Sequence, residues 1–323
     1  MSSASNNITR RDFVKASFAG AAAFAAGRLA ESSAVAGSCK GAAATCSTYP
    51  IRLGGPIFEE YDDPAGWVKA VKNLGYSAAY CPVGIDADDD EVKAYEKAAA
   101  QADIVIAEVG VWNNPLDPDE KIRREAIEKC WRCLDLADRI GANCCVNVCG
   151  SRGDDGINLT EETFNMIVET VRTIIDGVKP RRSYYTLETL PDRYPDSVES
   201  CVRLMKAIDR DRCAAHLDPV NLVNSPRRYF NNAELIRQCF AALGPHIRSC
   251  HGKDIRKEPG FPVHLQECQP GLGKLDYAVY LQQLSRLPQQ PPLMLEHLKE
   301  PEEYAAAAKY IRQVGKNQGL KFA

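Results

Sequence analysis

Four short apolar stretches of the chain each end on, or directly before, a residue that can bind a metal ion. These residues are Glu188, Asp218, His251 and Glu296. Parallel strands of one sheet bring their carboxyl ends to the same edge, so the four side chains are expected to meet there. Three carboxylates and one imidazole in that position suit a divalent cation. Solvated loop charge is the alternative, but loop charges need not fall at successive strand ends.

The elements that must position these residues alternate along the chain between apolar strand patterns and helix patterns. Strands are predicted at residues 51–58, 77–83, 103–109, 143–148, 183–188, 213–218, 246–251 and 292–296. Helices are predicted at residues 64–74, 88–102, 119–140, 160–178, 195–208, 232–243, 275–287 and 301–314. Eight uninterrupted strand-helix units favour a closed (β/α)8 TIM barrel, one α/β domain over residues 49–323, and not an open sheet.

Other residues near the predicted strand ends are candidates for substrate contact. Glu108 ends the third strand, and Trp112 begins the next loop, where an aromatic ring is either a platform for a sugar or a loop anchor. Strand alternation places His216 one layer beneath Asp218, either as a core histidine or as a residue that supports the ligands or contacts substrate. Asn221 follows in the loop after Asp218.

The segment after His251 is unusually polar. Lys253 either orients a bound ligand or pairs with the adjacent Asp254. His264 and Glu267 belong to a predicted loop that could close over the substrate.

Composition excludes several classes of protein. The chain has 323 residues, 45% of them hydrophobic, a net charge of −3 and no basic excess, so nucleic acid is not expected as a partner. Beyond the N-terminal segment no apolar run approaches the roughly 20 residues of a membrane helix, and the mature chain is expected to have no integral membrane segment. Cys130 and Cys133 have a C-x-x-C spacing but lie within a helix pattern without a second pair, which favours core packing over zinc.

The first 48 residues have the features of a targeting signal and a flexible linker. Residues 9–15 (TRRDFVK) resemble the twin-arginine export motif, and a weakly apolar run follows at 16–26, with a cleavage site after Ala36. A disordered arm with a chance arginine pair is one alternative, and lipid attachment at Cys39 is another. The expected location is periplasmic or otherwise outside the cytoplasm.

Three sequence phrases, taken with the barrel pattern and the four strand-end residues, resemble the xylose isomerase-like, sugar phosphate isomerase/epimerase superfamily. The phrases are LDPVN at 217–221, CHGKD at 250–254 and PGLGKLDY at 270–277. The resemblance extends from residue 51 to the end of the chain. It implies a TIM barrel that acts on a small carbohydrate, and it is compatible with a homo-oligomer.

In the ketose 3-epimerases of that family, a Glu-Asp-His-Glu set binds manganese or a similar ion, and both glutamates exchange protons with the sugar. The resemblance therefore implies that Glu188 and Glu296 are both ligands and the acid/base pair. Asp218 and His251 are implied to be ligands only. Mn²⁺ is the expected ion, with Mg²⁺, Co²⁺ and Zn²⁺ as alternatives.

Two departures from the family pattern leave other activities open. Asn221 stands where many family epimerases have His, and the segment after Glu188 lacks their Asn-Arg pair, so the residues that contact the sugar must differ. A lyase, hydratase or deglycosidase acting on a keto sugar is the nearest alternative to an isomerase or epimerase. A noncatalytic periplasmic sugar-binding protein is a third, although binding alone does not require two glutamates. The family's zinc endonucleases need further His and carboxylate ligands and a basic face, which this chain lacks.

The targeting signal yields a prediction about location. Replacing Arg10 and Arg11 together by Lys should keep the protein in the cytoplasm with its precursor intact, because the pair is the recognised feature of the signal. Cell fractionation and immunoblotting would measure this, with Lys15→Arg as a control that preserves charge outside the pair. Normal export of the double variant would rule out the twin-arginine assignment.

Overall fold

The computed structural model describes residues 48–153 and 156–323. The predicted twin-arginine signal and nearly all of the predicted linker lie outside the described residues. Within the described part of the chain, no helix has both the length and the apolar character needed to cross a membrane. Cys130 and Cys133 are buried free thiols.

Eight parallel strands close into a barrel, which confirms the predicted (β/α)8 architecture. They are β1 (Leu53–Gly55), β2 (Ala78–Tyr80), β3 (Val105–Gly110), β4 (Cys144–Asn147), β5 (Tyr184–Glu188), β6 (Cys213–Leu217), β7 (Ile247–Gly252) and β10 (Leu293–Leu295). Each strand pairs with its neighbour along the chain, and β10 closes the ring between β7 and β1. The register sets Glu188 opposite His216 and Met294 opposite His251, so strand ends that are far apart in sequence meet at one mouth.

Nine α-helices occur in the described residues. They are α1 (Pro64–Asn73), α2 (Asp89–Gln101), α3 (Glu120–Ile140), α4 (Glu161–Val178), α5 (Val198–Ile208), α6 (Pro226–Phe230), α7 (Asn232–Leu243), α8 (Tyr277–Leu284) and α9 (Pro301–Asn317). Several begin at a capping side chain that accepts backbone N–H groups, as Asp119 does for α3 and Thr160 for α4. α3 ends at Gly141, whose positive φ of 75° suits glycine.

The structure adds one element that the sequence pattern did not predict. The polar segment after β7 is not an open loop but an antiparallel hairpin of β8 (Asp254–Glu258) and β9 (His264–Cys268). The hairpin stands outside the barrel sheet and is joined to β7 through Lys253 alone. It therefore projects from the carboxyl end of the barrel, where the four candidate ligands lie.

Asp254 fixes the base of this hairpin. Its buried carboxylate accepts the backbone N–H groups of Ile255, Gly271, Gly273 and Leu275 at 2.8–3.0 Å. Gly273 is required for this close approach, because a Cβ there would lie 2.2 Å from Asp254 Oδ1. The expected pair between Lys253 and Asp254 is wrong, since adjacent residues of an extended chain point to opposite sides.

Asp254→Ala should lower the free energy of unfolding by about 2–4 kcal/mol, because four buried backbone donors lose their common acceptor. Urea unfolding followed by circular dichroism would measure the change. Asp211→Ala, at an exposed aspartate, is the matched control and should change stability by less than about 0.5 kcal/mol. Equal stability of the two variants would contradict the anchoring role.

Candidate active site

The four strand-end residues converge at the carboxyl mouth of the barrel. Glu188 is the last residue of β5 and His251 lies near the end of β7, whereas Asp218 and Glu296 directly follow β6 and β10. One ligand atom from each lies within 4.8 Å of every other. Glu188, Asp218 and His251 are buried, and the Glu296 side chain is 12% exposed. The cluster is therefore shielded from bulk water but open on the Glu296 side.

The His251 ring is the centre of the cluster. Its Nδ1 lies 3.0 Å from Glu188 Oε1 and 2.9 Å from Glu296 Oε1, whereas its Nε2 lies 3.3 Å from Glu108 Oε1. Both ring nitrogens therefore face carboxylate oxygens, and these contacts favour a proton on each. Nδ1 is the nitrogen that faces the two glutamates, so it is the one that could bind an ion together with them once it has lost its proton.

Glu108 holds a small polar network beneath this ring. Its Oε2 accepts from Ser249 Oγ at 2.7 Å and lies 2.8 Å from His216 Nε2. Glu108 and His216 are only 1% and 0% exposed, and Glu108 contacts the Nε2 side of His251, away from Glu188 and Glu296. Both were candidates for substrate contact, but the inward side of the strands places them behind His251. They support the ligand cluster from below.

The charges of these groups are strongly linked. Burial alone would raise the pKa of Glu108, but His216 and His251 outweigh burial and hold it below its usual range. Burial would lower the pKa of His251, but Glu296 and Glu108 raise it well above its usual value. Burial opposes ionisation of Glu296, yet His251 and Lys253 lower its pKa to about 2. The mouth of the barrel therefore holds several buried carboxylates, and their ionised forms are stable only with positive groups next to them.

Lys253 supplies one positive charge. Its Nζ lies 2.6 Å from Asp218 Oδ2 and 2.8 Å from Glu296 Oε1, although the side chain is only 2% exposed. Burial would lower the Lys253 pKa, but the contacts with Asp218 and Glu296 raise it overall. Lys253 was expected to orient a ligand or to pair with Asp254, and the structure places it among the ligand residues.

The four residues fit a divalent metal ion. Among the described residues, Asp218 Oδ2 and Glu296 Oε1 accept no hydrogen bond of good geometry, but both are ion-paired: Lys253 Nζ lies 2.6 and 2.8 Å away, and His251 Nδ1 lies 2.9 Å from Glu296 Oε1. One ammonium and one imidazole beside three carboxylates leave negative charge that a divalent cation would offset, and carboxylate oxygens with an imidazole nitrogen are a typical oxygen-nitrogen ligand set. A cation at Nδ1 needs the neutral ring, so binding would release a proton from His251.

Two side chains at the rim face this cluster. Asn221 Nδ2 lies 3.3 Å from Glu188 Oε1 and donates to Thr189 O at 3.1 Å, which holds Glu188 in place. Trp112 is half exposed, and its ring centroid lies 6.3 Å from that of His251. Gly110 makes room for the indole, since a Cβ there would lie 2.2 Å from Trp112 Nε1. Trp112 thus offers an aromatic face beside the ligands.

A second pair of residues lies on the open side of the cluster. Glu267, on β9, lies 3.4 Å from Lys253 Nζ, and its carboxylate oxygens lie 3.1 and 3.2 Å from His297 Nδ1. His297 escaped the sequence analysis, although its position directly after Glu296 was a usable signal. His264, in contrast, is exposed at the far end of β9 and makes no hydrogen bond or ion pair with these residues in the described chain.

Comparison with known proteins shows the family to which the chain belongs. The sequence model of the Xylose isomerase-like TIM barrel family matches residues 68–314. No curated protein matches the chain.

Solved structures share the fold at low identity. Endonuclease IV from Thermus thermophilus is 17% identical with a TM-score of 0.64, covering 82% of this chain and 99% of that one. D-Psicose 3-epimerase from Clostridium cellulolyticum, with D-tagatose, is 15% identical with a TM-score of 0.59, covering 81% and 99%. A Xylose isomerase-like TIM barrel protein from Mycobacterium smegmatis, in complex with magnesium, is 17% identical with a TM-score of 0.59, covering 84% and 98%.

If the cluster binds a divalent ion, Glu108→Gln should weaken binding of the probe ion Mn²⁺ by about 10- to 100-fold, because outer residues orient a ligating imidazole and contribute charge to it. Isothermal titration calorimetry at pH 8, where proton competition at His251 is reduced, would measure the dissociation constant. Glu199→Gln, on the exposed face of α5, is the control and should bind as the parent does. An unchanged affinity in Glu108→Gln would remove Glu108 from the metal centre.

Proposed function

Because the chain belongs to the Xylose isomerase-like TIM barrel family, we propose that it is a divalent-metal-dependent isomerase or epimerase of sugars. The observation that carries this proposal is the placement of Glu188 and Glu296, whose Oε1 atoms lie 3.0 and 2.9 Å from one imidazole nitrogen. Two carboxylates at one cation site can take a proton from one face of a carbon and return a proton to the other face.

The proposed ligands are Glu188, Asp218, His251 and Glu296, with Mn²⁺ as the first choice of ion. A divalent cation held there would stabilise negative charge on the sugar oxygens during proton removal. The magnesium complex of a structural neighbour makes Mg²⁺ the nearest alternative.

The proton transfers are assigned to the two glutamates. Glu296 is ionised at neutral pH, since its pKa is held at about 2, so it can accept a proton. Glu188 is held by Asn221 at 3.3 Å and is the partner carboxyl group. The 3-epimerase among the neighbours, whose structure contains D-tagatose, supports a sugar as substrate. Trp112 is positioned to cover the apolar face of its ring.

A second candidate activity is elimination from a keto sugar, and the Glu267–His297 pair favours it. Elimination needs a further acid for the leaving group, and His297 lies on the open side of the cluster, 3.7 Å from Glu296 Oε2. The hydrogen bond with Glu267 raises the pKa of His297, which favours the protonated imidazole.

Export by the twin-arginine route to the periplasm remains part of the proposal.

The proposed chemistry predicts exchange of a carbon-bound hydrogen next to the substrate carbonyl with solvent deuterium. Glu188→Gln and Glu296→Gln should each slow this exchange by about 10²- to 10⁴-fold, because the amide keeps an oxygen but carries no exchangeable acid proton. Proton NMR in D₂O with free ketoses and 3-keto glycosides would measure the rate, and metal analysis would show whether the variants retain the ion.

Glu199→Gln is again the matched control and should exchange at the parental rate. Exchange at the parental rate in both active-site variants would rule out the two-carboxylate mechanism. Exchange accompanied by loss of water or of a glycosidic group would favour elimination, and metal-dependent sugar binding without exchange would favour a noncatalytic binding protein.

A further inference from the structure

A cleft of about 410 Å³ opens beside the candidate active site, between the β8–β9 hairpin and the loop after β6. We propose that this cleft binds an apolar substituent of the substrate, so that the substrate is a carbonyl-bearing sugar joined to an apolar group. The inference deepens the proposed function and rests on it. It specifies which part of the substrate lies outside the ligand cluster.

The cleft shares two lining residues with the surroundings of the ligand cluster. Asn221 lines it and lies 3.3 Å from Glu188 Oε1, and Glu267 lines it and lies 3.4 Å from Lys253 Nζ. These two residues therefore belong both to the cleft and to the surroundings of the proposed ligands. In the proposal, a substituent of a sugar held at the ligands passes these two residues to reach the cleft.

Seven of the eleven residues that line the cleft are apolar, and the polar ones are Asn221, Asn224, Ser225 and Glu267. Val220, Val223 and Ile255 form buried parts of the wall, and Val263 and Leu265 contribute the face of the hairpin. Among the described residues that line the cleft, Glu267 is the only charged one. A phosphate or carboxylate substituent would thus meet a carboxylate and no cation, whereas an apolar group would meet aliphatic side chains.

The volume suits a ring-sized group. An apolar cavity of roughly 150 Å³ accommodates benzene, so the cleft has room for an aromatic or alicyclic ring and part of its linkage. A free monosaccharide bound at the ligands would leave this apolar wall in water. Covering the wall with a substituent removes apolar surface from water, which favours binding.

The proposal is tested with two glycosides that differ only in the substituent. The Mn²⁺-loaded mature chain is titrated with the methyl and the phenyl β-glycosides of 3-keto-D-glucose, which both carry the carbonyl of the proposed substrate, by isothermal titration calorimetry. The phenyl compound should bind about 10-fold more tightly or better, because its ring enters the cleft. Leu265→Ser and Val263→Ser should each reduce the phenyl-to-methyl affinity ratio toward one. Since Val263 is 44% exposed, its replacement keeps the test valid if Leu265→Ser fails to fold.

The control is Val202→Ser, at an exposed valine of α5 that does not line the cleft; it should leave the ratio unchanged. Equal affinities of the two glycosides, a phenyl preference that survives both hairpin substitutions, or no binding of the phenyl compound at millimolar concentration would overturn the proposal. Solvent exchange separates the two hypotheses. Exchange without a phenyl preference refutes the cleft alone, and a phenyl preference without exchange refutes the proposed chemistry alone.

Discussion

Charge balance at the mouth of the barrel is the constraint on which the rest of the structure depends. Glu188, Asp218 and Glu296 come together in a space largely closed to water, where like charges repel strongly. His251 and Lys253 offset part of this charge from within the cluster. A divalent cation held by the three carboxylates would offset more of it. The closed barrel brings the three carboxylates together, and the nearby positive groups make that arrangement stable.

The cluster is supported from two directions by different kinds of contact. Beneath it, Glu108 receives contacts from His216, Ser249 and His251, so one buried carboxylate orients the His251 imidazole. Above it, Asp254 gathers backbone N–H groups at the base of the hairpin. The lower support comes from side chains inside the barrel, and the upper one from the backbone outside it. Together they restrict His251 and Lys253 to the positions that the charge balance needs.

The sequence was sufficient to predict the barrel because hydrophobic periodicity is local and the eight units repeat without interruption. It also indicated which residues end the strands, and the closed ring brings them together. The direction of Lys253 and the burial of Glu108 could not be read in the same way, since both depend on contacts across more than one strand. The β9 segment has the composition of a polar loop, so its sequence does not predict a strand. It is a strand in the structure because it pairs with β8. The position of His297 directly after Glu296 was a usable signal, but its contact with Glu267 depends on the hairpin, which the sequence pattern did not predict.

The hairpin has a consequence for how such a protein can diversify. Its strands take no part in the hydrogen-bonded ring of the barrel, and Lys253 is the only residue between β7 and β8. Insertions or substitutions toward its tip, where Phe261 is almost fully exposed, leave the barrel register and the strand-end residues unchanged. The hairpin, which lines one side of the cleft, can therefore vary in evolution independently of the barrel strands that hold Glu188, Asp218, His251 and Glu296.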